Sequence, residues 1–220
     1  MVSIKQLFDL KHSLAADYLS GFQYPWEALA GIGDLIRELG PKLGEEYVEY
    51  APQVWVHKTV EIAPTAYIGS PTILGPRTEV KHCAYIRENS LVGEGCVIGN
   101  SVELKNVILF DGVQVPHFNY VGDSILGYKA HMGAGAVTSN VKSDMSLVTI
   151  NLGDRRLPTG RKKCGAMLGD FAEIGCNSVL NPGTVVGKHS NVYPLSSVRG
   201  VVPPEHIWKT GGIVVKKEAR

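Results

Sequence analysis

The sequence predicts a mainly β protein, a left-handed parallel β-helix of the hexapeptide-repeat class with a small N-terminal helical cap. Two observations predict it. Ten apolar residues fall six apart without a miss: Val56, Ile62, Ile68, Leu74, Val80, Ile86, Val92, Ile98, Leu104 and Phe110. A second train runs Leu168, Ile174, Leu180, Val186, Val192 and Val198. A period of six is neither the helix nor the strand period. It returns every sixth side chain to one interior line, as in a solenoid whose coils have three flat faces of about six residues each. A composition that is 44% hydrophobic would rarely fill ten such slots by chance. Glycines recur just after the apolar slot, at Gly69, Gly75, Gly93, Gly99, Gly169, Gly175 and Gly187, where the chain must turn a corner.

Residues 1–50 lack the six-residue period. Ile4, Leu7, Leu10, Leu14 and Leu19 are close to helical spacing, and Gly21 ends that run. A second helix is expected from Pro25, carrying Trp26, Leu29, Ile32, Leu35, Ile36 and Leu39 as far as Gly40-Pro41. Together they would cap the first coil, since an open solenoid end exposes apolar surface and unpaired strand edges. The solenoid is expected over 51–205. Its period slips after Phe110, and Leu126 and Met132 continue it in a shifted phase. It breaks over 141–163, an expected loop excursion with a short strand at Leu147 to Leu152. Residues 206–220 are expected to form a tail strand that covers an edge or pairs with a neighbouring chain.

Net charge is +1, so a basic surface for nucleic acid is not indicated. No apolar run is long enough to span a bilayer, and no leader-like pattern occurs. The expectation is a soluble, cytoplasmic protein that binds neither nucleic acid nor membrane. Cys83, Cys96, Cys164 and Cys176 show no CxxC pairing and read as reduced thiols.

Polar and aromatic residues cluster from His117 to Asn140. Upstream, Arg87 takes a place that often holds glycine, and Lys105 follows one coil later. Stacked coils would hold these two cations about 5 Å apart, an arrangement that a bound phosphate would stabilise; two solvated surface cations are the other reading. His117 is a candidate for proton transfer near neutral pH.

The stretch from Arg87 to Asn140 resembles the acetyltransferase domain of the bifunctional glucosamine-1-phosphate acetyltransferase/N-acetylglucosamine-1-phosphate uridylyltransferases. The elements are Ala-Tyr-Ile-Arg87, Val-Glu-Leu-Lys105, His117-x-x-Tyr120-x-Gly-Asp and Met-Gly-Ala-Gly-x-x-Thr-x-Asn140. The stretch Gly160-Arg-Lys-Lys-Cys-Gly-Ala-Met-Leu-Gly-Asp looks more like archaeal relatives that acetylate amino-sugar phosphates. The resemblance covers roughly the last three quarters of the chain. Nothing in the sequence resembles the Gly-rich signature of the nucleotidyltransferase domain, and fifty residues are too few to hold one.

The resemblance implies an acyltransferase that moves acetyl from acetyl-CoA to the amine of an amino-sugar phosphate or a nucleotide-linked amino sugar, with no metal required. It implies that Arg87 and Lys105 hold the phosphate, that His117 is the general base, and that Tyr120 hydrogen-bonds the substrate. Asn140 would orient sugar or thioester, and the Ala134 N–H would polarise the thioester carbonyl. Ala134, Cys176 and Pro194 are the expected coenzyme positions, and His131 is placed with the substrate. Asp123 reads as structural. The family usually has tyrosine where Val141 stands, asparagine at His131 and lysine at Ser146; Arg155, Arg156, Arg161, Lys162 or Lys163 in the excursion could replace the missing cation. A homotrimer with sites between subunits is expected, with the basic excursion reaching a neighbour's His117. Two other readings stay open: a non-catalytic solenoid subunit of a sugar-nucleotide enzyme, and a metal enzyme of the γ-class carbonic anhydrase type using His82 and His117.

Overall fold

In a computed structural model that describes residues 1–218, the chain winds into a three-sided parallel β-solenoid. Each coil contributes one short strand to each of three faces. The first face stacks Tyr67–Ile68, Tyr85–Ile86, the starts of Glu103–Leu109 and Tyr120–Leu126, Val137–Thr138, Val179–Leu180 and Ser197–Val198. The second runs from Glu61–Ile62 through Val97–Asn100, Gln114–His117 and His131–Met132 to His206–Trp208. The third begins at Val54–His57 and ends at Val201–Val202.

The apolar trains become the interior. Leu74, Val80, Ile86, Val92, Ile98 and Leu104 point inward and are fully buried or nearly so, as are Leu168, Leu180, Val186 and Val198. Phe110 departs from its expected place. It lies outside the prism, in a second apolar core, its ring 5.0 Å from that of Phe8. The reason is a shortened coil. Tyr85 pairs with Glu103, eighteen residues on, but Glu103 pairs with Tyr120, seventeen on. Leu109 therefore takes the interior slot and Phe110 turns outward.

That second core relocates the helical segment. The short helices Ile4–Leu7, Ala16–Ser20 and Ile32–Leu39, with the 3-10 stretch Pro25–Gly31, lie along the third face rather than over the first coil. They cover its outward column of Ile73, Leu91, Ile108, Ile125, Met167 and Val185, each fully buried. An apolar column facing outward is as strong a demand for a partner as an open end. The first helix stops early because Phe8 turns extended and the Asp9 N–H donates to the Asp170 carboxylate at 2.8 Å. Both ends of the prism are instead closed by antiparallel strands. Tyr47–Ala51 pairs with Val54–His57, and Val214–Lys216 pairs with His206–Trp208. The latter is itself the last parallel strand of the second face, within the segment expected to be tail.

The 141–163 excursion forms a hairpin, Thr149–Leu152 against Arg155–Pro158. Val148, Ile150 and Leu152 alternate onto the second core, so the hairpin lies with the helical segment beside the third face. This differs from an arm projecting toward a neighbour's His117; Arg155 and Arg156 sit exposed at the hairpin's turn. No helix among the described residues is long and apolar enough to cross a membrane.

Candidate functional site

The corner from His117 to Asn119 joins the second face to the first. His117 ends the strand Gln114–His117; its side chain is exposed and makes no hydrogen bond among the described residues. Asn119 fastens the corner. Its buried amide accepts from the His117 N–H at 3.2 Å and donates to the carbonyls of Gly133 at 2.8 Å and Ala136 at 3.0 Å. The next coil is thus held against His117, with the Gly135 N–H donating to the His117 carbonyl at 3.0 Å.

Strand register then sets a column. Gln114 lies beside His131, so His117 lies beside Ala134; the pairs His131–Glu173 and Glu173–Asn191 carry the column on to Cys176 and Pro194. Successive members are about 5 Å apart. The Ala134 N–H makes no hydrogen bond among the described residues. Glycine neighbours keep the column flat: a Cβ on Gly175 would press to 2.7 Å on the Pro194 ring, and one on Gly133 to 2.7 Å on the Cys176 nitrogen. Cys176 and Pro194 line a cleft of about 1050 Å³ on the second face, walled at its far end by Lys209 and by Val215, Lys216 and Lys217 of the tail. His131 lies in this cleft too, its Nδ1 2.8 Å from the Glu173 carboxylate. It is therefore separated from the other residues expected to hold substrate.

Those residues meet on the first face. Arg87 and Lys105 stack in consecutive coils, the Arg87 N–H donating to the Leu104 carbonyl at 2.9 Å. They are not an isolated pair of cations, as the sequence suggested. Arg87 donates to Glu103 at 3.0 Å, and Glu88 lies 3.6 Å from Arg87 and 4.0 Å from Lys105. Lys105 is also 3.9 Å from Asp123. The carboxylates offset the repulsion, and Glu88 sits between both cations as an oxyanion of a ligand would. Around the same corner, Asn140 donates to the Tyr120 hydroxyl at 3.1 Å and to Asp123 at 2.6 Å. Burial, and then the charges of Asp123 and Glu103, raise the pKa of the Tyr120 hydroxyl above its usual value, so it stays protonated and able to donate. Gly122 gives the ring its place: a Cβ there would lie 2.6 Å from Tyr120 Cζ.

Sequence reasoning missed Glu88, Glu103, Asn106, Asn119 and Glu173. Glu88 adjoins Arg87, and Asn106 precedes Asp123 by one seventeen-residue coil, so both had a signal. Glu173 is 42 residues from His131, across the excursion, and had none. His82 and His117 share a column with Asn100 between them, which separates them by about 10 Å. His82 Nδ1 bonds the Thr65 hydroxyl at 2.9 Å.

Residues 76–153 match the GMPPB C-terminal domain. The chain is 32% identical over 150 residues to a bifunctional sugar-1-phosphate nucleotidylyltransferase/acetyltransferase of Sulfurisphaera tokodaii, covering 68% of this chain and 37% of that protein. It is 28% identical over 204 residues to the bifunctional protein GlmU of Methanococcus vannielii, covering 91% of this chain and 49% of the relative. The chain is related in sequence to the GlmU-type bifunctional proteins. It spans about half the length of the Methanococcus GlmU and less of the Sulfurisphaera protein. Among solved structures it aligns with a perosamine N-acetyltransferase of Caulobacter crescentus at 16% identity and TM-score 0.36, over 85% of this chain and 67% of that one. That superposition is too loose to bear on the site.

Proposed function

We propose that the chain is an acetyltransferase that moves acetyl from acetyl-CoA to the amine of an amino-sugar phosphate, free or nucleotide-linked. The observation that carries this is the column His117, Ala134, Cys176 and Pro194 running into the second-face cleft, with paired cations on the adjoining face. The GlmU-type relatives support the same reading.

The coenzyme arm would run along the glycine-flattened column past Cys176 and Pro194, its thioester beside Ala134. Arg87 and Lys105 would take the acceptor phosphate in place of Glu88, and Tyr120 and Asn140 would bond the sugar. His117 would accept the proton from the amine as nitrogen attacks the thioester carbon. The Ala134 N–H would hold the developing oxyanion. Collapse would expel CoA thiolate, which takes up a proton, and leave the amide. These steps need no metal. His131, paired with Glu173 in the cleft, belongs on the coenzyme side in this scheme.

The active unit would be a homotrimer. The third face is covered by the chain's own helices and hairpin, which leaves the first and second faces, and the His117 corner between them, for contact with neighbours. A neighbour would close a cleft that one prism leaves open. The reaction would run in the cytoplasm, a reading supported by the use of acetyl-CoA and by four cysteines that form no disulfide.

The test is release of free thiol from acetyl-CoA against a panel of amino-sugar 1-phosphates and nucleotide-linked amino sugars. Turnover with one of them, with Arg87→Met and Lys105→Met each raising that acceptor's KM more than that of acetyl-CoA, is the expected result. No turnover across the panel would sink the reading.

A further inference from the structure

We infer that Asp123 is a positioning residue, holding Asn140 and Lys105 on the acceptor face and itself fixed, through Asn106, by the main chain of the N-terminal helical segment. Asp123 is 3% exposed and cannot reach a substrate. Its carboxylate is consumed from both sides. Oδ2 accepts from Asn140 Nδ2 at 2.6 Å and lies 3.9 Å from the Lys105 ammonium. Oδ1 accepts from Asn106 Nδ2 at 3.0 Å. The same Asn106 amide donates to the carbonyl of Leu29 at 3.1 Å, and Leu29 lies in the stretch Pro25–Gly31, outside the prism.

The path is continuous: Leu29 carbonyl, Asn106 amide, Asp123 carboxylate, Asn140 amide, Tyr120 hydroxyl. A turn residue alone would not need it. Asn106 and Asp123 occupy the same corner of consecutive coils with φ of 54° and 48°, a conformation asparagine and aspartate tolerate. Asparagine at 123 would satisfy the turn without burying a charge. A buried carboxylate is expensive unless its partners are ordered around it, so retaining the charge fixes the ammonium and the amide facing it. The helical segment then sets the acceptor side of the site besides covering the third face.

The test uses the full chain, with glucosamine 1-phosphate as acceptor and acetyl-CoA as donor. Asn106→Gly deletes the amide yet suits the positive φ. Asp123→Asn keeps shape and backbone but removes the charge, and its NH2 must face one of the two amide donors. Four quantities are read: the acceptor KM, the acetyl-CoA KM, the Tm, and hydrogen exchange of the Asn140 side-chain amide by NMR. In both variants the acceptor KM is expected to rise about ten-fold or more, the size of a lost hydrogen bond to a charged group. The acetyl-CoA KM should stay within about two-fold, and Asn140 amide protection, present in the wild type, should be lost. A fall in Tm with both KM values unchanged, or with both rising together, would overturn the inference. So would a fast-exchanging Asn140 amide in the wild type, a measurement that needs no variant to fold. The kinetic arm rests on the acetyl-transfer reading. Should the wild type acetylate nothing, that reading fails by itself and the exchange data alone decide the role of Asp123.

Discussion

Gly122→Ala should displace Tyr120 without unfolding anything. Gly122 is buried in the strand Tyr120–Leu126, and its φ is not positive, so alanine meets no backbone strain there. The obstacle is the Tyr120 ring: the new Cβ would lie 2.6 Å from Cζ and 2.9 Å from Cε1. The far end of a partly buried tyrosine at the surface can swing aside, so the backbone need not move. The stability cost is then the hydrogen bond from Asn140 to the Tyr120 hydroxyl, about 1 kcal/mol. Against it stands the roughly 0.4–1 kcal/mol by which alanine restricts the unfolded chain relative to glycine. The sum lies between zero and about 0.6 kcal/mol, a Tm change within about 3 °C for a domain of this size. Function should respond more strongly, because the ring would leave the acceptor face. The assay pairs thermal unfolding with the acceptor KM for Gly122→Ala, Tyr120→Phe and the double variant. The alanine variant should raise the acceptor KM at least as much as Tyr120→Phe, and the double should add nothing. A Tm loss of ten degrees, or an unchanged KM where Tyr120→Phe raises it, would refute the reasoning.

His117→Ala should leave the Tm nearly unchanged, since that side chain is exposed and unbonded, while turnover falls by about a hundred- to ten-thousand-fold; normal turnover would remove His117 from the chemistry. Of the four thiols, Cys83 and Cys176 are exposed, whereas burial raises the pKa of both Cys96 and Cys164 to about 12, so a thiol reagent should modify only the first pair in the native protein. CoA should slow labelling of Cys176 and leave Cys83 unaffected; equal protection of both, or none, would move the coenzyme off the column. The Tyr120 hydroxyl has its folded pKa raised, so its contribution to stability is complete below the unfolded value of about 10 and is lost as pH rises through the folded one. Tyr120→Phe should therefore flatten the alkaline fall of Tm, and an unaltered alkaline limb would show that Tyr120 does not titrate with unfolding.

The interior of this fold is legible because one geometric rule governs it. A residue that returns to the axis every six positions must be apolar, and Val80, Ile86 and Val92 obey regardless of what lies outside. The outside has no such rule. Ile73, Leu91 and Ile108 lie on a second apolar column that the six-residue train does not pick out, because it faces away from the axis and toward helices far off in sequence. The shortened coil after Glu103 escaped for a related reason. Both Leu109 and Phe110 are apolar, and only strand register decides which one enters the prism. The hairpin at Thr149–Leu152 could have been read more fully, since Val148, Ile150 and Leu152 alternate at strand period. Of the candidate site, the residue types were legible and their partners were not. Arg87 and Lys105 read as bare cations although Glu88 adjoins Arg87 and Asp123 lies eighteen residues, the regular coil length, beyond Lys105; Glu103 reaches Arg87 diagonally, at a separation of 16 that the regular period does not pick out.

Coil length also explains why one short motif serves both halves of the proposed reaction. His117 closes a second-face strand, and Tyr120 opens the first-face strand just past the corner. Asp123, midway along that strand, turns the next corner with a φ of 48°. In a solenoid, whatever occupies a position in one coil is repeated in place, not in kind, by the coils above and below. The second-face end of the motif therefore continues as a column of small residues, Ala134, Cys176 and Pro194, suited to an extended thioester arm. The first-face end gathers Arg87 and Lys105 from the two coils before it, suited to an anion. A ligand with a thioester at one end and an acceptor with a phosphate at the other would meet at the His117 corner, where Asn119 fixes the backbone of two coils at once. With the third face sealed by the helical segment, this edge is the place where both free faces are within reach of one side chain.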